Sequence, residues 1–156
     1  MAVYELRRIQ YLPISLQEAW DFIRSPQNLS KITPAYMRFT VINKELPEEM
    51  YPGMIINYKI TPLLNIPMRW CTEITHVVPQ QYFVDEQREG PYSLWHHQHH
   101  LEACEGGVKM TDIVNYKPPL GILGRIANKL FIHRQLEQIF AFRYEALEKR
   151  YGKMPV

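Results

Sequence analysis

The sequence predicts an α+β fold, a curved antiparallel sheet of about seven strands wrapped around one long C-terminal helix, with two short helices after the first strand. Its 12 prolines, spread along the chain, punctuate many short elements and favour a β-rich meander over a helical bundle. Six β-patterned segments follow one another between residues 38 and 116. Their connections are too short for parallel crossovers, which need a dozen residues or more. Beyond Pro118-Pro119 the apolar spacing changes to three, four and six and holds to about residue 150.

Tyr4 to Tyr11 reads as the first strand, closed by Pro13. Ser15-Leu16-Gln17-Glu18 is a capping box, opening a helix from Leu16 to Ile23 with Ala19, Trp20 and Ile23 on one face. Ser25-Pro26 starts a short helical turn that Pro34 breaks. Strands are then expected over Arg38 to Lys44, Met54 to Thr61, Met68 to Val78, Gln81 to Gln87, Tyr92 to Cys104 and Val108 to Tyr116. Their separators include Tyr51-Pro52-Gly53, Pro62 to Pro67, Val78-Pro79, Glu89-Gly90-Pro91 and Glu105-Gly106-Gly107. The last helix, Gly124 to about Arg150, carries Ile126, Leu130, Leu136, Phe140, Tyr144, Leu147 and Tyr151 on one stripe, with His133 between them. It is the one element large enough to cover the apolar face of the sheet. A sheet curled around a single helix fills its own interior poorly at the open end, so an internal cavity is expected. No linker, repeat or low-complexity tract interrupts the chain, which reads as one domain over 1–156.

Composition narrows the function classes. Hydrophobic residues make up 46% and charged residues 22% of the 156, as in ordinary globular proteins. A net charge of +2 from 18 basic and 16 acidic side chains provides no field for nucleic acid. No segment approaches the roughly 18 uninterrupted apolar residues of a membrane span, and the charged start, MAVYELRRIQYLP, does not fit a signal peptide. Cys71 and Cys104 lack CxxC spacing and read as free thiols in a reducing cytoplasm. Nucleic-acid binding and stable membrane insertion are therefore not expected.

The stretch LWHHQHHL, residues 94–101, holds four of the six histidines. On a strand the side chains alternate, so Trp95, His97, His99 and Leu101 share the more apolar face and His96 and His100 the other. The outer pair reads as solvated. A two-residue loop at Glu105-Gly106, with Gly107 in the strained position, sets the next hairpin so that Cys104 faces Gly107. His99 then faces Asp112, Leu101 faces Met110, His97 faces Val114 and Trp95 faces Tyr116. A one-residue slip would turn Lys109, Thr111 and Asn115 inward, which decides the register. An inward Asp among apolar neighbours needs a partner, and imidazole is a natural one.

Four roles compete for this pair. It is a buried hydrogen bond that pins register, or, with His97 and Asp85, the polar end of an apolar cavity. It is a catalytic pair, with His99 as general base oriented by Asp112. Or the H-x-H supplies two metal ligands, for which a third must come from Asp112, Asp85 or His133. The cavity reading leads, and neither metal nor cofactor is expected. Nucleophile elbows, zinc-protease motifs, P-loops and dinucleotide fingerprints are missing from the sequence. Trp70, Phe83, Trp95, Tyr116 and Phe140 are inward aromatics suited to an apolar pocket. The loop Pro118 to Leu123, with Leu120 at its apolar tip, is the portal candidate; it serves equally as a homodimer contact or as packed core.

Phe83-Val84-Asp85, Gly90-Pro91, Trp95-x-His97-x-His99, Thr111-Asp112, Tyr116 and Pro119-Leu120-Gly121-Ile122-Leu123-Gly124 together form a pattern that spans the chain. It resembles the helix-grip fold of the START-like (SRPBCC) superfamily, which includes polyketide cyclases, pollen-allergen-like proteins and lipid-transfer domains. Within it, the likeness is to small bacterial ligand-binding proteins with a W-x-H-x-H-x-F strand. Leu101 departs from that pattern's larger aromatic and widens the pocket locally. The resemblance implies binding or carriage of a small hydrophobic molecule: a lipid, isoprenoid, polyketide or aromatic metabolite. The alternatives are a cyclase- or hydratase-type enzyme, and a protein-interaction module whose cavity is filled by its own side chains.

Overall fold

The computed structural model describes residues 2–63 and 65–155. Seven strands form one antiparallel sheet in the order β1-β7-β6-β5-β4-β3-β2. They are β1 (Tyr4–Leu12), β2 (Thr40–Val41), β3 (Met54–Leu63), β4 (Ile66–Val78), β5 (Tyr82–Glu89), β6 (Leu94–Cys104) and β7 (Gly107–Lys117). Between β1 and β2 lie α1 (Leu16–Ile23) and two 3-10 turns, Pro26–Ile32 and Ala35–Met37. Residues 121–151 form the C-terminal helix of 31 residues, built from α2 (Gly121–Ala127), a π-helical segment (Asn128–Ile132) and α3 (His133–Tyr151). The expected helix-grip architecture is thus the observed one. Among the described residues no helix is long and apolar enough to cross a membrane, and both cysteines are free.

Local chemistry accounts for the elements. Ser15 Oγ accepts from the Glu18 N–H at 3.1 Å, so α1 starts where the capping box puts it. Its buried face is Ala19, Trp20, Phe22 and Ile23. The β6–β7 register pairs Cys104 with Gly107, Leu101 with Met110, His99 with Asp112, His97 with Val114 and Trp95 with Tyr116, as the apolar match requires. The strained glycine of this hairpin is Gly106 (φ +81), however, and not Gly107. Gly107 is needed for space, because a Cβ there would meet the Leu12 carbonyl oxygen at 2.0 Å. Gly107→Ala should therefore lower stability by about 1–3 kcal/mol through overpacking. Urea unfolding checks this, and an unchanged midpoint would mean that β1 does not seat against the hairpin.

Several boundaries differ from expectation for identifiable reasons. The strand expected over residues 38–44 shrinks to Thr40–Val41, at the sheet edge. Beyond it the Asn43 side chain takes over from the backbone ladder, accepting from the Asn57 N–H at 2.7 Å and donating to the Ile55 carbonyl at 3.2 Å. The expected turn from Pro62 to Pro67 is largely strand, with a register irregularity between Ile60 and Leu63 that accommodates the missing Pro62 N–H. Two further irregularities between β4 and β5, at Cys71/Thr72 and Ile74/His76, allow the sheet to curl.

The largest correction concerns the C-terminal helix. Ile126 and Leu130, expected on the inward stripe, are 51% and 71% exposed. The π-helical turn inserts an extra residue and shifts the phase, so the buried positions run Gly124, Asn128, Leu136, Phe140, Arg143 and Leu147. His133 also leaves the inward stripe. Its Nδ1 lies 3.1 Å from the Tyr116 hydroxyl, which donates to Asn128 Oδ1 at 3.0 Å. The Pro118–Leu123 loop does not pack down as core, since Leu120 is 77% exposed. At the other end the Gln10 side chain donates to the Tyr144 carbonyl at 2.8 Å and ties α3 to β1.

Candidate functional site

A cavity of about 160 Å³ lies between the concave face of the sheet and α3. Its walls include Trp70 on β4, Trp95 on β6, Tyr58 on β3, Tyr92 before β6 and Phe140 on α3. The Trp70 and Trp95 rings meet edge to face at 5.1 Å between centroids, and Tyr92 packs 5.0 Å from Trp95. The other wall is polar, formed by Asp85, His97, His99 and Arg143.

Pairing of β5 with β6 sets Asp85 opposite His97 and Phe83 opposite His99. With β7 on the other side, two carboxylates flank two imidazoles. His97 Nε2 lies 2.8 Å from Asp112 Oδ1, and His99 Nε2 lies 2.6 Å from Asp85 Oδ2. The cross contacts are longer, 3.5 Å from His97 Nδ1 to Asp85 Oδ2 and 3.2 Å from His99 Nδ1 to Asp112 Oδ1. Arg143, one turn beyond Phe140, brings Nη2 to 3.4 Å from Asp112 Oδ1 and 3.3 Å from His99 Nδ1. The imidazole centroids are 3.7 Å apart, and the Phe83 ring backs His99 at 4.0 Å, nearly parallel. His97, His99 and Arg143 are 5%, 4% and 8% exposed, so water does not screen the cluster.

Burial disfavours charge on each of these groups, and the partners decide who keeps it. For Asp112, burial is outweighed by Arg143 and by hydrogen bonds from both histidines, which hold its carboxyl well below the usual range. For Asp85, burial is offset by His97, His99 and Arg143, and its pKa also falls. Burial and the neighbouring His99 lower His97, despite both carboxylates. Burial works against His99 too, but its hydrogen bonds to Asp112 and Asp85 raise it. His97 Nε2 thus faces Asp112, and His99 lies between the Asp85 and Asp112 carboxylates with Arg143 Nη2 beside its Nδ1.

The residues read from the sequence separate into three groups. Trp70, Asp85, Trp95, His97, His99 and Phe140 line the cavity. Asp112 and Phe83 stand directly behind the histidines, Asp112 holding His97 and Phe83 stacked on His99. Leu101, Tyr116 and Leu120 are not brought to it. Leu101 is buried opposite Met110, Tyr116 is fully buried against Asn128, and Leu120 stands in solvent. The pairing of His99 with Asp112 is also only half of the arrangement, because the shorter bond of His99 goes to Asp85.

Sequence reasoning missed Arg143, Tyr92 and Tyr58. Arg143 did carry a signal, a charged residue three positions after Phe140 on a buried stripe. The outer histidines are not merely solvated. His96 Nδ1 lies 2.8 Å from Glu86 Oε1, and Gln98 bridges His96 and His100 at 3.3 and 2.9 Å.

No protein-family model and no curated protein matches the sequence. Solved structures do match over nearly the whole chain. Ginseng major latex-like protein 151 from Panax ginseng is 11% identical with a TM-score of 0.70, covering 99% of this chain and 100% of its own. Protein CV1439 from Chromobacterium violaceum is 11% identical with a TM-score of 0.71, covering 96% and 99%. Ara h 8.0201 is 15% identical with a TM-score of 0.62, covering 96% and 97%. At these identities the likeness is one of fold, the helix-grip fold.

Proposed function

We propose that the chain binds a small hydrophobic molecule, an aromatic metabolite carrying an anionic oxygen group, in the cavity between sheet and helix. The observation that carries this reading is a pair of buried donors without partners. Arg143 Nε and Trp70 Nε1, both in cavity-lining side chains, find no acceptor among the described residues. A buried N–H left unpaired costs about 1–3 kcal/mol, which a ligand oxygen recovers.

Volume selects among the ligand classes. A cavity of about 160 Å³ is close to the roughly 150 Å³ that accommodates a benzene-sized molecule. That favours a single aromatic ring over an extended lipid or isoprenoid. The cavity also speaks against an interaction module with a filled interior. His99 as general base is disfavoured because both its ring nitrogens are directed at carboxylates.

Benzoate, added to chelator-treated protein and followed by quenching of Trp70 and Trp95 fluorescence, tests the reading. It should bind about 10- to 100-fold more tightly than neutral benzamide, as expected of a charge-assisted hydrogen bond. Arg143→Met should erase that difference. Equal affinity for the two probes in the unaltered protein, or no binding of either, would overturn it.

A further inference from the structure

We propose that Asp85 Oδ2, His97 Nδ1 and His99 Nε2 form a three-ligand site for a divalent first-row transition ion, with the remaining coordination positions facing the cavity. One candidate ligand atom from each residue lies within 4.8 Å of the other two. Asp85 Oδ2 is 2.6 Å from His99 Nε2 and 3.5 Å from His97 Nδ1. Two ligands each about 2.0–2.1 Å from one ion stand roughly 3.3 Å apart in a tetrahedral site, a value these two distances bracket. Closing the geometry moves Asp85 Oδ2 about 0.7 Å away from His99 Nε2, within reach of side-chain rotation. The third ligand that an H-x-H strand lacks by itself comes from the neighbouring strand, where β5 sets Asp85 opposite His97.

The surroundings are those a metal-bound histidine requires. Such a histidine nearly always donates its other ring N–H to a carboxylate, a backbone carbonyl or a water, which fixes tautomer and ring orientation. Here the second nitrogens of both histidines converge on one oxygen, Asp112 Oδ1, at 2.8 Å from His97 Nε2 and 3.2 Å from His99 Nδ1. Asp112 is anchored in turn by Arg143 at 3.4 Å. With Nε2–H of His97 given to Asp112, its Nδ1 already presents a lone pair. The proton shared by His99 and Asp85 is then the one the ion replaces. Pinning the register of two strands would require a single His–Asp bond, not two imidazoles whose second nitrogens share one carboxylate.

Charge and donor type define the ion and its exchangeable ligand. Two imidazoles and one carboxylate suit zinc or iron(II) better than calcium or magnesium, which prefer all-oxygen sites. Two carboxylates, one guanidinium and a divalent ion sum to +1, so one anion, hydroxide or a ligand carboxylate, completes the site from the cavity side. Arg143 lies on that side. The site does not depend on the cavity's taking an organic molecule.

Zinc titrated into the full chain, free of any histidine tag and stripped with chelator, tests the assignment by calorimetry without organic ligand. One ion per chain is expected. Asp85→Asn and His99→Gln should each weaken binding about 100-fold or more, and Asp112→Asn about 10- to 100-fold as a supporting carboxylate. His96→Ala and His100→Ala should leave affinity unchanged. Wild-type protein supplies a readout that needs no variant: zinc should shift the ring-proton resonances of His97 and His99 and not those of His96 and His100. Absence of stoichiometric binding, unchanged affinity in Asp85→Asn, or shifts confined to the outer histidines would overturn the site. Zinc binding without benzoate binding sinks the organic-ligand reading alone, and the converse sinks the metal alone.

Discussion

Asp112→Ala should destabilise the fold by about 3–5 kcal/mol, the usual cost of removing one partner from a buried charge pair. Asp112 receives His97, His99 and Arg143 at 2.8, 3.2 and 3.4 Å, and its side chain is 13% exposed. Its removal leaves Arg143, a residue 8% exposed, without its ion-pair partner. A cationic side chain left this deeply buried loses more than an ordinary hydrogen bond. Asp112→Asn keeps an acceptor for His97 and should lose less. Pairing Asp112→Leu with Arg143→Met should restore much of the stability, because a buried ion pair is often replaced by apolar groups at little cost. Urea unfolding of the three proteins checks this order. A loss below about 1 kcal/mol in Asp112→Ala would place the cluster in contact with water, where such pairs contribute little.

Phe140→Ala carries the second large effect, a loss of about 3–5 kcal/mol typical of truncating a buried aromatic. Phe140 is 5% exposed, packs edge to face on His97 at 5.5 Å and forms part of the cavity wall. The same substitution should alter ligand choice. Truncation joins the space of the ring to the cavity, so two-ring aromatic carboxylates that the unaltered protein excludes should bind. Fluorescence titration with naphthoate beside benzoate reads this selectivity, and thermal unfolding reads the stability. Stability lost without any gain for naphthoate would show that the helix collapses into the gap.

Most of the architecture was legible in the sequence because local signals and burial pattern agree. Ser15 and Glu18 define the start of α1, and alternation along residues 94–117 permits one register alone, since a slip would bury Lys109 and Asn115. Where local pattern and tertiary placement part, expectation failed. Leu130 has helical spacing identical to that of a core residue, yet the π-helical turn rotates it to 71% exposure. Leu120 looked like the lip of a pocket but stands outside it, because apolar character does not say which way a loop projects.

The histidine strand divides the same way. Alternation determined that His97 and His99 share the inner face, because side-chain direction on a strand is a local property with a period of two, and the short hairpin loop determined that Asp112 stands beside them. Only the tertiary structure decided that Asp85 completes the set from β5 and that Arg143 reaches it from a helix 44 residues beyond His99 in the chain. Those distances depend on how far the sheet curls and on the phase the C-terminal helix keeps after its π-helical turn. Neither is encoded in the spacing of residues along one strand. Sequence determines which groups must find partners when they are buried, and packing of sheet against helix determines which partners they find.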